Sequence, residues 1–438
     1  MRAFDVQAFM DGRRVGRTHI AILALCTTIM LIDGFDVYMV GKLAPAIAAS
    51  FGETPAAMTL VFAVQQTGLA LGGFLIGPLA DRWGRKRLIV WSTLGFGLLT
   101  LACLLATNLP QLAVLRGLAG LFLSGIIPTI VALLTEISPR HARARLVTIA
   151  FSGLTTGSAA GALVAAWLLD DYGWEIGFWI GGIAPLAILP LILWLLPESI
   201  QFRARRDPND PTIAASLKRF DPELDLTGVT HFDLASEDKA KVSLMELFRS
   251  GRALPTVLIW LAFFLALGNV TLLASWMPTY FQTFAGIPIQ RFALFSLLFF
   301  AGSLAGVLSI GFLMDKLGAR RVLPAFYFLN VGAIAAMGLL SFGTGPFVVA
   351  LFLLGFLQSG GQAGLNAVAA TLYPAAIRST GVGATFGSGR IGGILLPMAG
   401  GLALAGTLSL QTVFLLVAIP SLLVGIVMAI LLGRWGRQ

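Results

Sequence analysis

Asp33 and Asp36 stand three residues apart inside the first long apolar stretch of the chain, LALCTTIMLIDGFDVYMVG. On a helix that spacing projects both carboxylates from one side. Each costs about 2.5–3.5 kcal/mol at the centre of a bilayer. Carboxylates kept there face a polar cavity or a partner, so this pair is the first candidate for ion or substrate coupling, with ion pairing to a neighbouring arginine as the plainer alternative. Arg116 lies inside another apolar stretch, LRGLAGLFLSGIIPT, and is either a fixed partner for one of the aspartates or part of a proton relay. Arg390 sits mid-stretch among Gly387, Gly389, Gly392 and Gly393, and Asp315, at a loop edge, is the only acidic residue at all near an apolar stretch of the second half. A guanidinium binds a carboxylate through two parallel hydrogen bonds, so Arg390 points to an anionic solute; the alternative is that it bonds helix carbonyls or snorkels.

Other polar residues suggest walls rather than chemistry. Gln358, Gln362 and Asn366 recur every four residues and form one polar stripe, suited to lining a cavity or to joining helices. Trp276 and Tyr280 share a helix face on either side of Pro278, and either stack an aromatic ring or serve as packing or interfacial belt. Gln65 and Gln66 are weaker candidates. His19, His141 and His231 all lie away from the middle of any apolar stretch, so no histidine relay is expected. Cys26 and Cys103 sit in apolar runs and form no metal motif, so no metal and no cofactor beyond the proton are expected.

The elements that must hold these residues are membrane helices. The chain is 57% hydrophobic and 12% charged, where a soluble domain carries about 25% charged residues. The net charge of +9 belongs to loops and not to a phosphate-binding surface, which excludes a nucleic-acid partner. Apolar runs predict twelve spans at about 19–41, 56–80, 87–106, 110–134, 146–169, 174–196, 253–281, 290–314, 321–341, 345–370, 380–405 and 410–432. The polar stretch 197–252 reads as a loop with one surface helix at 242–250. No cleavable leader is apparent in the basic first 18 residues. Arg13, Arg14, Arg17, Arg82, Arg85, Lys86, Arg87, Arg140, Arg143, Arg145, Arg203, Arg320, Arg321, Arg378 and Arg434 fall on one side of this layout, against Lys42 and Arg291 on the other. The positive-inside rule therefore places both termini in the cytoplasm. At 1.5 Å per residue Asp33 is then about 21 Å deep and Arg116 about 10 Å from the outer end of its span, nearly the same level in a core about 30 Å thick.

The chain also repeats itself. GPLADRWGRKR at 77–87 recurs as GFLMDKLGARR at 311–321, each after the second span of a six-span half, and Pro139-x3-Arg143 is echoed by Pro374-x3-Arg378. Two parallel halves, 1–196 and 253–438, joined by 197–252, with a site between them near the midplane, form a transporter architecture.

These residues resemble a known family. The G-x3-D-x2-G-R-K-R loop is similar to the signature loop of the major facilitator superfamily, as are Arg116 and Gly120 in span four, Glu136-x2-Pro139-x3-Arg143, and Pro197-Glu198-Ser199. Within it, DGFD of span one, SWMPTYF of span seven and GSGRIGG of span eleven resemble the aromatic acid/proton symporters. The resemblance covers the whole chain. It implies an all-α membrane protein of twelve helices in two six-helix bundles, not an enzyme, acting as a monomer in a bacterial inner membrane. It implies proton-coupled import of a small aromatic carboxylate, with Asp33, Asp36 and Arg116 in coupling and Arg390 handling the acid. It also implies that Asp81, Arg85, Arg87, Glu136, Arg143, Asp315, Arg321 and Arg378 latch helix ends as the protein changes state. A drug/proton antiporter fits less well, because span five, FSGLTTGSAAGALVAAW, lacks that group's proline motif. A sugar porter lacks support in span seven, and a membrane sensor would need an output segment longer than 197–252.

Overall fold

In lipid every backbone N–H and C=O must be bonded within the segment, so long apolar runs become helices. The computed structural model describes residues 2–76, 79–227, 229–233, 244–249, 251–374, 377–405 and 408–435. Twelve long helices follow in chain order: α1 (Arg17–Ser50), α2 (Met58–Leu75), α3 (Arg85–Ala102), α4 (Leu109–Ile137, interrupted at Ser124 and Gly125), α5 (Arg143–Trp167), α6 (Glu175–Leu195), α7 (Ala253–Ala285), α8 (Ile289–Leu317), α9 (Ala319–Leu339), α10 (Gly345–Leu372), α11 (Arg378–Ala405) and α12 (Leu410–Trp435). Among the described residues eleven are long and apolar enough to cross a bilayer. The remaining one, α11, is 28 residues long and carries eight glycines and Arg390.

The two halves pack alike. In the first, α1 lies against α5 and α2 against α4; in the second, α7 lies against α11 and α8 against α10. Glycine makes each contact close. A Cβ on Gly157 would stand 1.9 Å from the carbonyl oxygen of Leu31, and one on Gly68 would stand 1.9 Å from that of Gly117. The equivalent figures are 1.9 Å between Gly392 and Phe264, and 2.0 Å between Gly302 and Phe352. Small residues at such crossings let backbones meet where lipid offers no hydrophobic drive. The repeated loop also repeats in conformation: Gly84 and Gly318 open α3 and α9 at φ of 96° and 83°, a region that favours glycine.

Twelve crossings among the described residues bring the end of α12 back to the face where α1 begins, which also carries the loop between α2 and α3 and is called here the terminal face. On it the polar stretch after α6 is more structured than a loop. Helices Ile200–Arg206 and Pro211–Lys218 pack with the short helix Val6–Asp11, and strand β1 (Arg2–Asp5) pairs in parallel with β2 (Val229–Asp233). Val6, Met10, Ile200, Ala204, Ile213, Leu217 and Phe232 form a small core of their own. Ion pairs Arg13–Asp221 and Arg143–Asp11 fasten this cap to the helix ends. Of the expected helix 242–250, a short 3-10 turn at Leu244–Phe248 is described.

Candidate functional site

At the face opposite the termini the two halves are shut against each other. A Cβ on Gly41 of α1 would lie 2.6 Å from the carbonyl oxygen of Ala274 in α7, and one on Gly401 of α11 would lie 1.9 Å from Oγ1 of Thr59, at the start of α2. The rings of Phe62 and Trp276 meet edge to face at 4.9 Å. Gln290 of α8 donates to Asp170 beyond the end of α5. Pro45 and Pro278 have no N–H to offer the carbonyls four residues earlier, those of Gly41 and Ala274, so the backbone is bendable where the halves touch.

Below that closure lies a cavity of about 780 Å³ that reaches Val147 and Thr148 at the terminal-face end of α5 and Val307 and Leu308 toward the same end of α8. Its walls are aromatic and amide-bearing: Tyr38, Phe292, Phe299, Phe300, Gln358 and Gln362 all contribute. The polar stripe of α10 thus faces the cavity. Gln362 Nε2 donates to Asn366 Oδ1 at 3.2 Å, while Gln358 Oε1 accepts from Asn330 at 2.5 Å.

The two aspartates of α1 part company. Arg116 reaches across from α4 and grips the Asp36 carboxylate with both nitrogens, Nη1 to Oδ1 at 2.9 Å and Nη2 to Oδ2 at 2.7 Å. Thr100 donates to Asp36 Oδ1 at 3.2 Å, Gln65 Oε1 accepts from Arg116 Nε at 3.4 Å, and Phe178 lies 5.8 Å from the guanidinium carbon. Both members of the pair are buried. Asp33 is buried one turn earlier, and its Oδ2 has no hydrogen-bond partner. The charges whose field it feels are Asp36 and, from the other half, Arg390. Arg390 in turn feels the charge of Asp33. Neither residue is among those that line the cavity, and they belong to different halves, Asp33 to α1 and Arg390 to α11, on either side of the seam between the halves. The seam is joined nearby at Gly393, whose carbonyl lacks a helical donor because Pro397 stands four residues on. Gln66 Nε2, from α2 of the first half, donates to it across the seam at 3.4 Å, and Thr271 Oγ1, from α7 of the same half as α11, donates at 3.4 Å as well.

The terminal-face loop of the first half is knotted to α4 and α6. Arg85 is ion-paired with Glu136 and donates to Ser199 Oγ at 2.7 Å, and Ser199 Oγ donates to Glu136. Glu198 Oε1 accepts from the backbone of Lys86 at 3.0 Å and of Ser199 at 2.9 Å. The copy in the second half is open, with Asp315, Lys316, Arg320 and Arg321 exposed and in no ion pair among the described residues.

Twelve helices in two like halves, a repeated glycine-centred loop and a cavity closed at one end make a carrier, and the comparisons with known proteins decide which kind. The sequence matches the Major Facilitator Superfamily over residues 26–346 and again over 292–435. The chain belongs to that superfamily. It is 37% identical to the gallate transporter of Pseudomonas putida over 95% of this chain and 92% of that one. It is 32% identical to the 4-hydroxybenzoate transporter PcaK of Acinetobacter baylyi over 96% and 92% of the two chains. Among solved structures the D-xylose-proton symporter superposes with a TM-score of 0.69 at 15% identity, covering 95% of this chain and 97% of that one. This facilitator is therefore a multi-pass membrane transporter and not an enzyme.

Several sequence expectations land elsewhere in the facilitator fold. Trp276 and Tyr280 do not offer a stacking face to the cavity: both are fully buried, Trp276 Nε1 donating to Pro397 O at 2.7 Å and Tyr280 Oη to Gly400 O at 2.8 Å. A buried indole N–H or phenol needs such a partner, and here the partners tie α7 to α11. Arg390 lies beside the seam and away from the cavity wall, so its direct role on a carboxylate is not met in this state. Lys42 is not a loop residue; α1 runs eight residues beyond it, and it is buried on the cavity wall. His19 lies away from mid-span as expected, at the terminal-face end of α1, where it is buried with its Nε2 3.1 Å from Ile137 O. Arg143 holds Asp11 at 2.5 Å and Arg87 is exposed, whereas the side chains of Asp81 and Arg378 lie outside the described residues. Lys42 and the Glu198–Ser199 contacts were missed because their meaning comes from helices distant in sequence, although the Pro-Glu-Ser string was visible.

Proposed function

We propose that this facilitator is a proton-coupled importer of small aromatic carboxylates, hydroxylated benzoates foremost, working by alternating access in a bacterial inner membrane. The observation that carries the reading is Asp33: a buried carboxylate with an unpartnered oxygen, within the field of Arg390 of the other half. A carboxylate in a dry site pays a large desolvation cost that a proton removes. Asp36 has no such freedom, since Arg116 holds both of its oxygens. With Asp33 charged, its attraction to Arg390 favours the two halves staying together. With Asp33 protonated, the positive charge of Arg390 is uncompensated and the nearby cavity favours an anion. Proton and anion then bind cooperatively, which is the linkage that symport requires.

The walls suit the proposed cargo. Phenylalanine rings offer faces to an aromatic ring, and the amides of α10 offer partners to ring hydroxyls. The basic terminal face supports a cytoplasmic location for both termini, in which case the closed end is the outer gate and the cavity faces inward. One proton with one monoanion is electroneutral and is driven by the pH gradient alone. A second proton adds about 2.3 kcal/mol per 100 mV of membrane potential. Both halves of the site lie in one chain, which supports action as a monomer.

Uptake of radiolabelled 4-hydroxybenzoate and gallate into proteoliposomes, with an inwardly directed proton gradient, tests this. Accumulation that collapses with a protonophore is expected. Indifference to both acids, or expulsion of lipophilic cations instead, would overturn it.

A further inference from the structure

We propose that Lys42 receives the carboxylate of the cargo, and that Gln362 and Ser303 receive hydroxyls on its ring. The inference rests on the aromatic-carboxylate reading above and adds its contact atoms. Lys42 is the only charged side chain among the described residues that line the cavity. Its Nζ donates to Tyr38 O at 3.1 Å and Ser158 Oγ at 3.3 Å, and lies 5.4 Å from the Phe300 ring centre and 5.9 Å from that of Tyr38. It is in no ion pair among the described residues. An ammonium has three donors, and neutral oxygens and aromatic faces orient this one without discharging it. A methionine would fill the same space without burying a charge. The charge therefore needs an anion that comes and goes, and its attraction for one is strong because the cavity wall around it is largely apolar.

Position supports the assignment. Lys42 directly follows Gly41, which packs on the α7 backbone at the closed end. An anion on Lys42 sits at the roof of the cavity, beside the contact that must part for the opposite face to open. The residues lining the same cavity include two unsatisfied polar groups: Gln362 Oε1 and Ser303 Oγ are buried with no hydrogen-bond partner. Buried acceptors left unpaired penalise a cargo that cannot satisfy them, so a site of this kind discriminates sharply against analogues lacking a hydroxyl. Lys42 at one end and Gln362 with Ser303 on α10 and α8 describe a ring bearing both a carboxylate and phenolic hydroxyls.

The test is competition against radiolabelled 4-hydroxybenzoate uptake by unlabelled 4-hydroxybenzoate, 4-hydroxybenzamide and benzoate, in proteoliposomes of the full chain. In the wild type the carboxylate should compete at least about tenfold better than the carboxamide, a gap of about 1.4 kcal/mol. Lys42→Gln and Lys42→Met should erase that gap, and Lys42→Arg should keep much of it. Gln362→Leu should instead erase the preference for 4-hydroxybenzoate over benzoate and leave the carboxylate preference intact. Lys42→Met should also melt no lower than wild type, because it removes a buried charge that has no counter-ion. Wild-type affinity in both neutral variants, or a carboxylate preference that survives them, would overturn the assignment of Lys42 while leaving the transporter reading standing. A wild type that takes up no aromatic acid would sink both.

Discussion

Asp36→Asn should cost stability before it costs anything else. The substitution keeps the shape of the side chain and one acceptor oxygen but removes the negative charge that both Arg116 nitrogens grip, at 2.9 and 2.7 Å. Arg116 is fully buried, so its guanidinium cannot turn to water. Breaking a buried pair from one side typically costs about 3–5 kcal/mol, because it strands the other charge. Thr100 and Gln65 remain within 3.5 Å as neutral partners and bring the expectation to the lower part of that range. Removing both charges strands neither, so Asp36→Asn combined with Arg116→Gln should recover at least half of the loss. Melting of the purified protein in detergent, followed by size exclusion after heating, reads both variants. If Asp36→Asn melts with the wild type, or the double variant melts no higher than the single, the pair is not the buried tie described here.

Other outcomes follow from the same geometry. Asp33→Asn should leave the melting temperature near that of wild type, since no ion pair is lost, yet abolish proton-driven accumulation while retaining exchange of labelled for unlabelled substrate, which needs no net proton movement. Gly157→Ala places a Cβ 1.9 Å from Leu31 O and should destabilise by about 1–3 kcal/mol, read as a lower melting temperature and a smaller folded yield. Arg85→Ala removes the ion pair to Glu136 at a buried joint with Ser199, so it should slow uptake several-fold through a lower maximal rate, with little change in half-saturation. An unchanged rate would show that this joint does not move during transport.

The helices were legible because lipid leaves the chain no alternative, and the halves were legible because the Gly84 and Gly318 loops repeat. The carboxylates of α1 were legible as exceptions to apolar composition. Which of the two is free was not, since Arg116 and Thr100 reach Asp36 from other helices and leave Asp33 alone. Lys42 was hidden by a span ended one residue too early, at 41, where the helix in fact continues to Ser50. The roles of Trp276 and Tyr280 were obscured because spacing on one helix does not say which neighbour it turns toward. The cap on the terminal face was missed because the strands Arg2–Asp5 and Val229–Asp233 are short and meet from either side of the first half, one before α1 and one in the connection 197–252.

Whether an aromatic acid and a proton move together can be measured with a pH-sensitive dye sealed inside proteoliposomes. At equal pH inside and out, a sudden outside excess of 4-hydroxybenzoate should acidify the lumen faster than in protein-free vesicles, and Asp33→Asn should fall back to the protein-free rate. Labelled acid entering without excess acidification, or an Asp33→Asn variant that acidifies like wild type, would contradict proton coupling through Asp33.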